Sequence, residues 1–190
     1  ALTDVDSALT FSGRNTTGLT TISTVAANAA NTQFVNMGAA AFTVNAIGTA
    51  TSLTTIDNTG AITLNFNATA AELVAKTAVT GAADLTAAGA TALTINVNDY
   101  ITTTGANITT ALATSVALNV ASAKSTAATP VEQTSFDGAI TAAAATSFEA
   151  AILGSVTATG AITVDLATTA TITNGSTAGV MNLQAAVLDT

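Results

Sequence analysis

The 190-residue chain contains no cysteine, histidine or tryptophan, and only one proline and one tyrosine. Each absence removes a class of function. Without cysteine there is no disulfide, no thiolate nucleophile and no soft metal ligand. Without histidine the commonest general base and zinc ligand is gone. Aromatic residues make up 4% of the chain, too few to build a stacking platform for sugars. Positive charge is nearly as scarce: Arg14, Lys76 and Lys124 stand against eleven acids, for a net charge of −8. Nucleic acid is therefore not an expected partner, because neutralising phosphate needs clustered Lys and Arg, and an anionic membrane surface is disfavoured for the same reason. Long apolar runs are missing too. Thr and Asn interrupt them, so no segment reads as a membrane span, and no basic-then-apolar leader opens the chain. A mature or excised piece of a longer protein is the expected origin.

Alanine and threonine fill the sequence instead, in a chain that is 49% apolar and 7% charged. That is apolar enough to bury a core, so disorder is not expected, and the length suits a single domain. Small and β-branched side chains fit a narrow, layered sheet interior better than a broad globular one.

The pattern is repetitive. The stretch "LTTIDNTGAITLNFNA", residues 53–68, holds two apolar patches separated by a Gly-containing turn, and near-copies follow as "LTAAGATALTINV" at 85 and "ITTALATSVALNV" at 108. The core of the unit is apolar–x–apolar–(Asn/Asp)–apolar, found as "FTVNA" from Phe42, "ITLNF" from Ile62, "LTINV" from Leu93, "VALNV" from Val116 and "ITVDL" from Ile162. A strand alternates its side chains between two faces. Ile62, Leu64 and Phe66 therefore point inward with Thr63 and Asn65 outward, and Leu93, Ile95 and Val97 repeat the arrangement. Val164 joins Leu64, Ile95 and Leu118 as an expected inward row, and Asn65, Asn96, Asn119 and Asp165 as an outward ladder. The starts are 20, 31, 23 and 46 residues apart; the last is twice 23, which places a degenerate turn of the repeat near Ile140. A second short strand precedes most copies: "LTTI" at 19 and 53, "LTAA" at 85, "ITTA" at 108 and "VTAT" at 156. Two or three short strands per 20–23 residues describe one coil of an all-β, parallel β-solenoid. A β-sandwich is the alternative, although its hairpins would want more turn pairs than Asp137-Gly138 and Asn174-Gly175.

Two segments depart from the rhythm. Residues 69–79 read as an inserted helix, with Thr69 and Glu72 at capping-box spacing and Glu72 four residues before Lys76. Residues 125–153 read as a loop or helix insertion: Thr129, Pro130 and Glu132 resemble a helix start, while Phe148, Ala151 and Ile152 share a helical face ending at Gly154.

The units "LTTIDNTGAITLNF", "GLTTIST" and "AITVDLATTATIT", in a Cys-free Ala/Thr/Gly/Asn background, resemble the Thr/Ala-rich β-solenoid regions of bacterial surface-layer proteins of the type I-secreted, RTX-associated class. The likeness covers most of the chain in composition and rhythm. It implies an extracellular, cell-surface lattice or filament subunit, often stabilised by calcium and anchored to cell-surface polysaccharide through regions outside this chain. The calcium nonapeptide of that class is absent, since the sequence contains no Gly-Gly pair, so no ligand carries over from it.

Candidate sites are few. A hard cation such as calcium wants several oxygens with carboxylates among them, and the local clusters that offer them are Asp4 with Asp6, and Asn96 and Asn98 with Asp99; turn capping by the same residues is the competing reading. No catalytic set is apparent, and enzymatic activity is not expected. The sequence therefore points to a self-assembling structural protein whose partners are copies of itself. An adhesive or ice-binding solenoid is the alternative, and it would require Thr-x-Thr at a fixed place in every coil, a position that here varies among Thr, Ala and Asn. End-to-end joining would use the flanking stretches "ALTDVDSALTF" and "VMNLQAAVLDT".

Overall fold

A computed structural model describes residues 2–3, 8–25, 32–47, 53–75, 79–81, 84–98, 101–103, 107–120, 134–136, 138–152, 161–174 and 182–184. The chain is a parallel β-solenoid, and every strand pairing among the described residues is parallel. This excludes the sandwich of antiparallel hairpins. Each coil lays down a short strand, turns a corner, and lays down a longer one.

The longer strands form an eight-stranded sheet in chain order: Leu2–Thr3, Thr21–Val25, Phe42–Ile47, Ala61–Asn67, Ala92–Val97, Ser115–Val120, Ser147–Ile152 and Thr169–Asn174. The short strands form a second sheet of eight: Leu9–Ser12, Thr32–Val35, Leu53–Ile56, Leu85–Thr86, Ile108–Thr110, Ile140–Ala142, Ala161–Thr163 and Asn182–Gln184. A third sheet, Val79–Gly81, Ile101–Thr103 and Ser135–Phe136, gives three successive coils another side. Eight strands spaced about 4.8 Å apart make a stack roughly 34 Å tall.

Register follows the apolar pattern. Phe42, Ile62, Leu93, Val116, Phe148 and Ala170 pair in sequence. The steps between them are 20, 31, 23, 32 and 22 residues. The first long step contains the helix Ala70–Ala75, shorter than the expected 69–79: Val79 already belongs to the strand Val79–Gly81, and Lys76 lies outside the described residues. The second long step runs through residues 121–133, which lie outside the described residues together with Thr129, Pro130 and Glu132.

Slipping the register by one residue would turn the whole apolar row to solvent, so alternation fixes it. Leu64, Ile95 and Leu118 stack in register and are fully buried. The interior is filled mainly by aliphatic side chains and alanine. At the N-terminal end Phe11, Phe34 and Phe42 meet edge to face, with ring centroids 6.4 and 6.3 Å apart. Close stacking of coils constrains one corner: a Cβ at Gly60 would run into the carbonyl oxygen of Ala39 in the coil below.

Several expectations are corrected. "ITVDL" is not a long strand: Ile162 belongs to the short strand Ala161–Thr163 and pairs with Ile140, and Thr169–Asn174 is the long strand of that coil. Val164 is buried, but outside the Leu64–Ile95–Leu118 row; Ala150 and Ile172 continue that row. "LTTI" at 19 leads directly into the long strand Thr21–Val25; the short strand of its coil is Leu9–Ser12. Phe148, Ala151 and Ile152 lie on the strand Ser147–Ile152, not on a helix, so residues 138–152 form an ordinary coil. The degenerate turn near Ile140 is that coil. "VTAT" at 156 and Gly154 lie outside the described residues.

Candidate functional site

The chemistry-bearing side chains are arranged in files running along the stack, because parallel, in-register coils place like positions on top of one another. The outer face of the long-strand sheet carries two. One is hydroxyl: Thr21, Thr43, Thr63 and Thr94, followed in register by Ala117 and Glu149. Two residues further along each strand runs an amide file. Asn45 Nδ2 donates to Ser23 Oγ at 3.2 Å, Asn65 Nδ2 to Asn45 Oδ1 at 2.8 Å, Asn96 Nδ2 to Asn65 Oδ1 at 2.6 Å and Asn119 Nδ2 to Asn96 Oδ1 at 2.8 Å. Asn65, Asn96 and Asn119 were expected here, and Asn45 extends the file. Asp165 is not a member; it sits exposed at a corner. A second, shorter amide pair joins Asn98 Nδ2 to Asn67 Oδ1 at 2.7 Å.

Beyond the amide file the outer face dips. Ser115, Ala117, Ser147, Glu149, Thr169 and Thr171 line a recess of about 230 Å³. It offers hydroxyls and one carboxylate, without a nucleophile and base in contact. Among the described residues no group of three His, Cys, Asp or Glu side chains comes together. Of the proposed cation ligands, Asn96 and Asn98 each spend an amide N–H on a neighbouring coil, and the Asn96 oxygen accepts from Asn119; Asp4, Asp6 and Asp99 lie outside the described residues.

The short-strand sheet carries its own threonine file. Thr55, Thr86, Thr109, Thr141 and Thr163 pair in five successive coils. A further file forms where the corner enters the long strand. Thr114 Oγ1 donates to the Thr91 carbonyl at 3.3 Å, Thr146 Oγ1 to the Thr114 carbonyl at 3.2 Å and Thr168 Oγ1 to the Thr146 carbonyl at 3.4 Å. Sequence reasoning missed this file, although it left a signal. "LTAAGAT", "ITTALAT", "ITAAAAT" and "ITVDLAT" share an Ala-Thr pair at one fixed distance from the short strand.

The ends of the stack complete the surface. Among the described residues, Leu2–Thr3 and Leu9–Ser12 are the edge strands at one end, and Thr169–Asn174 and Asn182–Gln184 at the other. Ile172, in the row of the fully buried Leu64, Ile95 and Leu118, is 46% exposed on its edge strand. Compared with protein-family models, characterised proteins and solved structures, the chain matches none.

Proposed function

We propose that the chain is a structural, self-assembling protein of the bacterial cell surface, a lattice or filament subunit whose copies join through the ends of the coil stack. The observation that carries this reading is the stack of parallel, in-register coils, which among the described residues ends its long-strand sheet in Thr169–Asn174 with Ile172 of the core row exposed, and an edge strand invites another. The sparse charge and hydroxyl-rich faces support it, since such a surface loses little when another copy covers it. With a net charge of −8, joined copies repel one another, and divalent cations bridging carboxylates of neighbours, calcium first, would offset this.

Electron microscopy of the purified chain, with millimolar Ca²⁺ and with EDTA, tests the reading. Filaments or sheets are expected, more abundant with Ca²⁺. Removal of residues 1–11 abolishes them and leaves the β-rich circular dichroism in place. Dispersed monomers under all conditions would refute it, and polymers that survive the deletion would place the joint elsewhere.

A second reading is favoured by the five-coil threonine file of the short-strand sheet: recognition of an ordered surface such as ice. It is a single file, flanked at the next outward positions by Asp57, Ala88, Ala111, Ala143 and Asp165 rather than by a second row of threonine. Thermal hysteresis in dilute solution supports this reading, and its absence removes it.

A further inference from the structure

Among the described residues, the outer face of the long-strand sheet carries a single charge, Glu149, and it stands in the recess of about 230 Å³. The recess exists because the hydroxyl file breaks there. Ala117 follows Thr94 in register and has no γ atoms, so the face dips before Glu149 and Thr171 restore its height. Ser115 and Ser147 line the side where the strands begin. One carboxylate thus sits among five hydroxyl side chains, with no cation of its own chain in the lining. Such a lining accepts hydrogen bonds and favours positive charge. Two other acids are already engaged by their own chain: Asp57 Oδ2 accepts from the Asn36 N–H at 3.0 Å, and Asp84 Oδ1 from Asn107 Nδ2 at 2.9 Å.

The chain carries its own match for this lining at the other end of the stack. Arg14 is the one cation among the described residues, and it lies on a corner unlike the later ones. Thr55 to Thr63, Thr86 to Thr94, Thr109 to Ala117, Thr141 to Glu149 and Thr163 to Thr171 are each eight residues apart, whereas Thr10 to Thr21 is eleven. The longer corner holds Arg14, Asn15, Thr16, Thr17 and Gly18, all exposed. It is anchored at its root: the Thr16 N–H and Oγ1 both donate to the carbonyl of buried Gly13, at 2.9 and 2.8 Å, and Gly18 closes it at a φ of 73°.

We propose that the Glu149 recess receives Arg14 of a second copy. A guanidinium has five N–H donors in a planar fork and no acceptor, which suits a carboxylate flanked by hydroxyl oxygens. The fork takes the Glu149 carboxylate with two donors and leaves the others for the hydroxyls of Ser115, Ser147 and Thr171. Ala117 leaves room for the head to sit below the level of the file. In a chain of net charge −8, this is a place where copies meet with opposite charges. The contact joins two different patches, so it is heterologous and passes from copy to copy instead of closing on a symmetric pair. A single ion pair at a surface contributes little; it sets the register between neighbours and becomes effective when end-joined copies present it repeatedly. In that respect the inference rests on the proposed self-assembly, to which it adds a contact on the face of the stack.

Charge exchange tests it, with light scattering at low ionic strength as the readout and circular dichroism to show that each variant is folded. Arg14→Glu sets glutamate against Glu149, and Glu149→Arg sets arginine against Arg14. Each variant alone associates roughly tenfold or more weakly than the unmodified chain. Mixed in equal amounts they recover, because Arg14 of one meets Glu149 of the other and the exchanged pair also matches. Ala117→Leu keeps both charges, fills the recess and weakens association too. In micrographs, filaments of the unmodified chain lie side by side and those of either charge variant lie apart. A failure of end-to-end joining removes filaments from every sample but leaves the gain on mixing, so the two failures are told apart. Either charge variant associating at the unmodified level, a mixture no better than its components, or unimpaired association of Ala117→Leu would overturn the proposal.

Discussion

The amide file and the corner hydroxyl file both stitch coil to coil, but in different ways. From Ser23 to Asn119 each asparagine between the ends gives one hydrogen bond and receives another through its side chain alone. From Thr91 to Thr168 each hydroxyl donates to a carbonyl that already accepts the N–H of the same residue: Thr114 N to Thr91 O at 2.9 Å, Thr146 N to Thr114 O at 2.9 Å and Thr168 N to Thr146 O at 2.9 Å. The first file is a chain in which every link depends on its neighbours. The second is a set of duplicates laid over a backbone ladder that closes without them. Buried or half-buried polar groups cost most when a partner is left unmatched, so the N-terminal part of the stack is more vulnerable to polar substitution than the C-terminal part.

The largest effect belongs to the row beneath the amide file. Leu64 is fully buried between Val44 and Ile95, and Leu64→Ala costs roughly 2–5 kcal/mol from lost burial and the cavity left behind. Urea unfolding followed by circular dichroism measures it. A loss at Leu64 no greater than at the outward Thr63 would mean that the assigned facing is wrong.

Next comes the file itself. Asn96→Ala removes a central link and strands both Asn65 Oδ1 and Asn119 Nδ2. The residues are half-buried, so water reaches part of the gap, and the expected cost is about 1–2 kcal/mol. Asn119→Ala at the end of the file strands only Asn96 Oδ1 and costs about half as much. Equal losses at both positions would mean that the amides act singly rather than as a chain.

Alternation made the long-strand coils legible. Ile62/Leu64/Phe66 and Leu93/Ile95/Val97 carry large apolar groups at every second residue, and the asparagines fall into register once those rows are aligned. Legibility fails where alanine replaces the large residue. In Ser147–Ile152 the inward residues are Phe148, Ala150 and Ile152, but Ala150 and Ala151 weigh almost the same in hydropathy, and the period of two blurs into a helical one. "ITVDL" failed for a different reason: a short strand plus its corner matches the same five-letter pattern as a long strand, and only the Ala-Thr pair that follows tells them apart. The two long steps of 31 and 32 residues hid the period further. Of the candidate surface, the amide file could be read from the sequence. The corner hydroxyl file was missed, since recognising it depends on strand register on both sides of the turn.

Thr110 isolates what a hydroxyl does without a carbonyl to meet. It points into the core between Ala87 and Ala142, is 1% exposed, and its Oγ1 has no hydrogen-bond partner among the described residues. Thr110→Val keeps the shape and removes the unpaired group, so it stabilises the chain by about 1 kcal/mol. A higher midpoint in urea at unchanged slope is the expected result. A loss of stability would reveal a partner for the hydroxyl.

Four residues further on, the same residue type has the opposite setting and the smallest effect. Thr114 is exposed, and its Oγ1 reaches the Thr91 carbonyl at 3.3 Å, while its own N–H holds that carbonyl at 2.9 Å. Thr114→Val removes the longer of two bonds to one acceptor and leaves no buried group unmatched. Valine also keeps the branched side chain that suits the entry to a strand. The expected change is within about 0.5 kcal/mol, the range of ordinary surface substitutions. The informative measurement is the contrast with Asn96→Ala in one series of urea titrations. If Thr114→Val costs as much as breaking the amide file, the corner hydroxyls are links in their own right, and the two files hold the coils by the same rule.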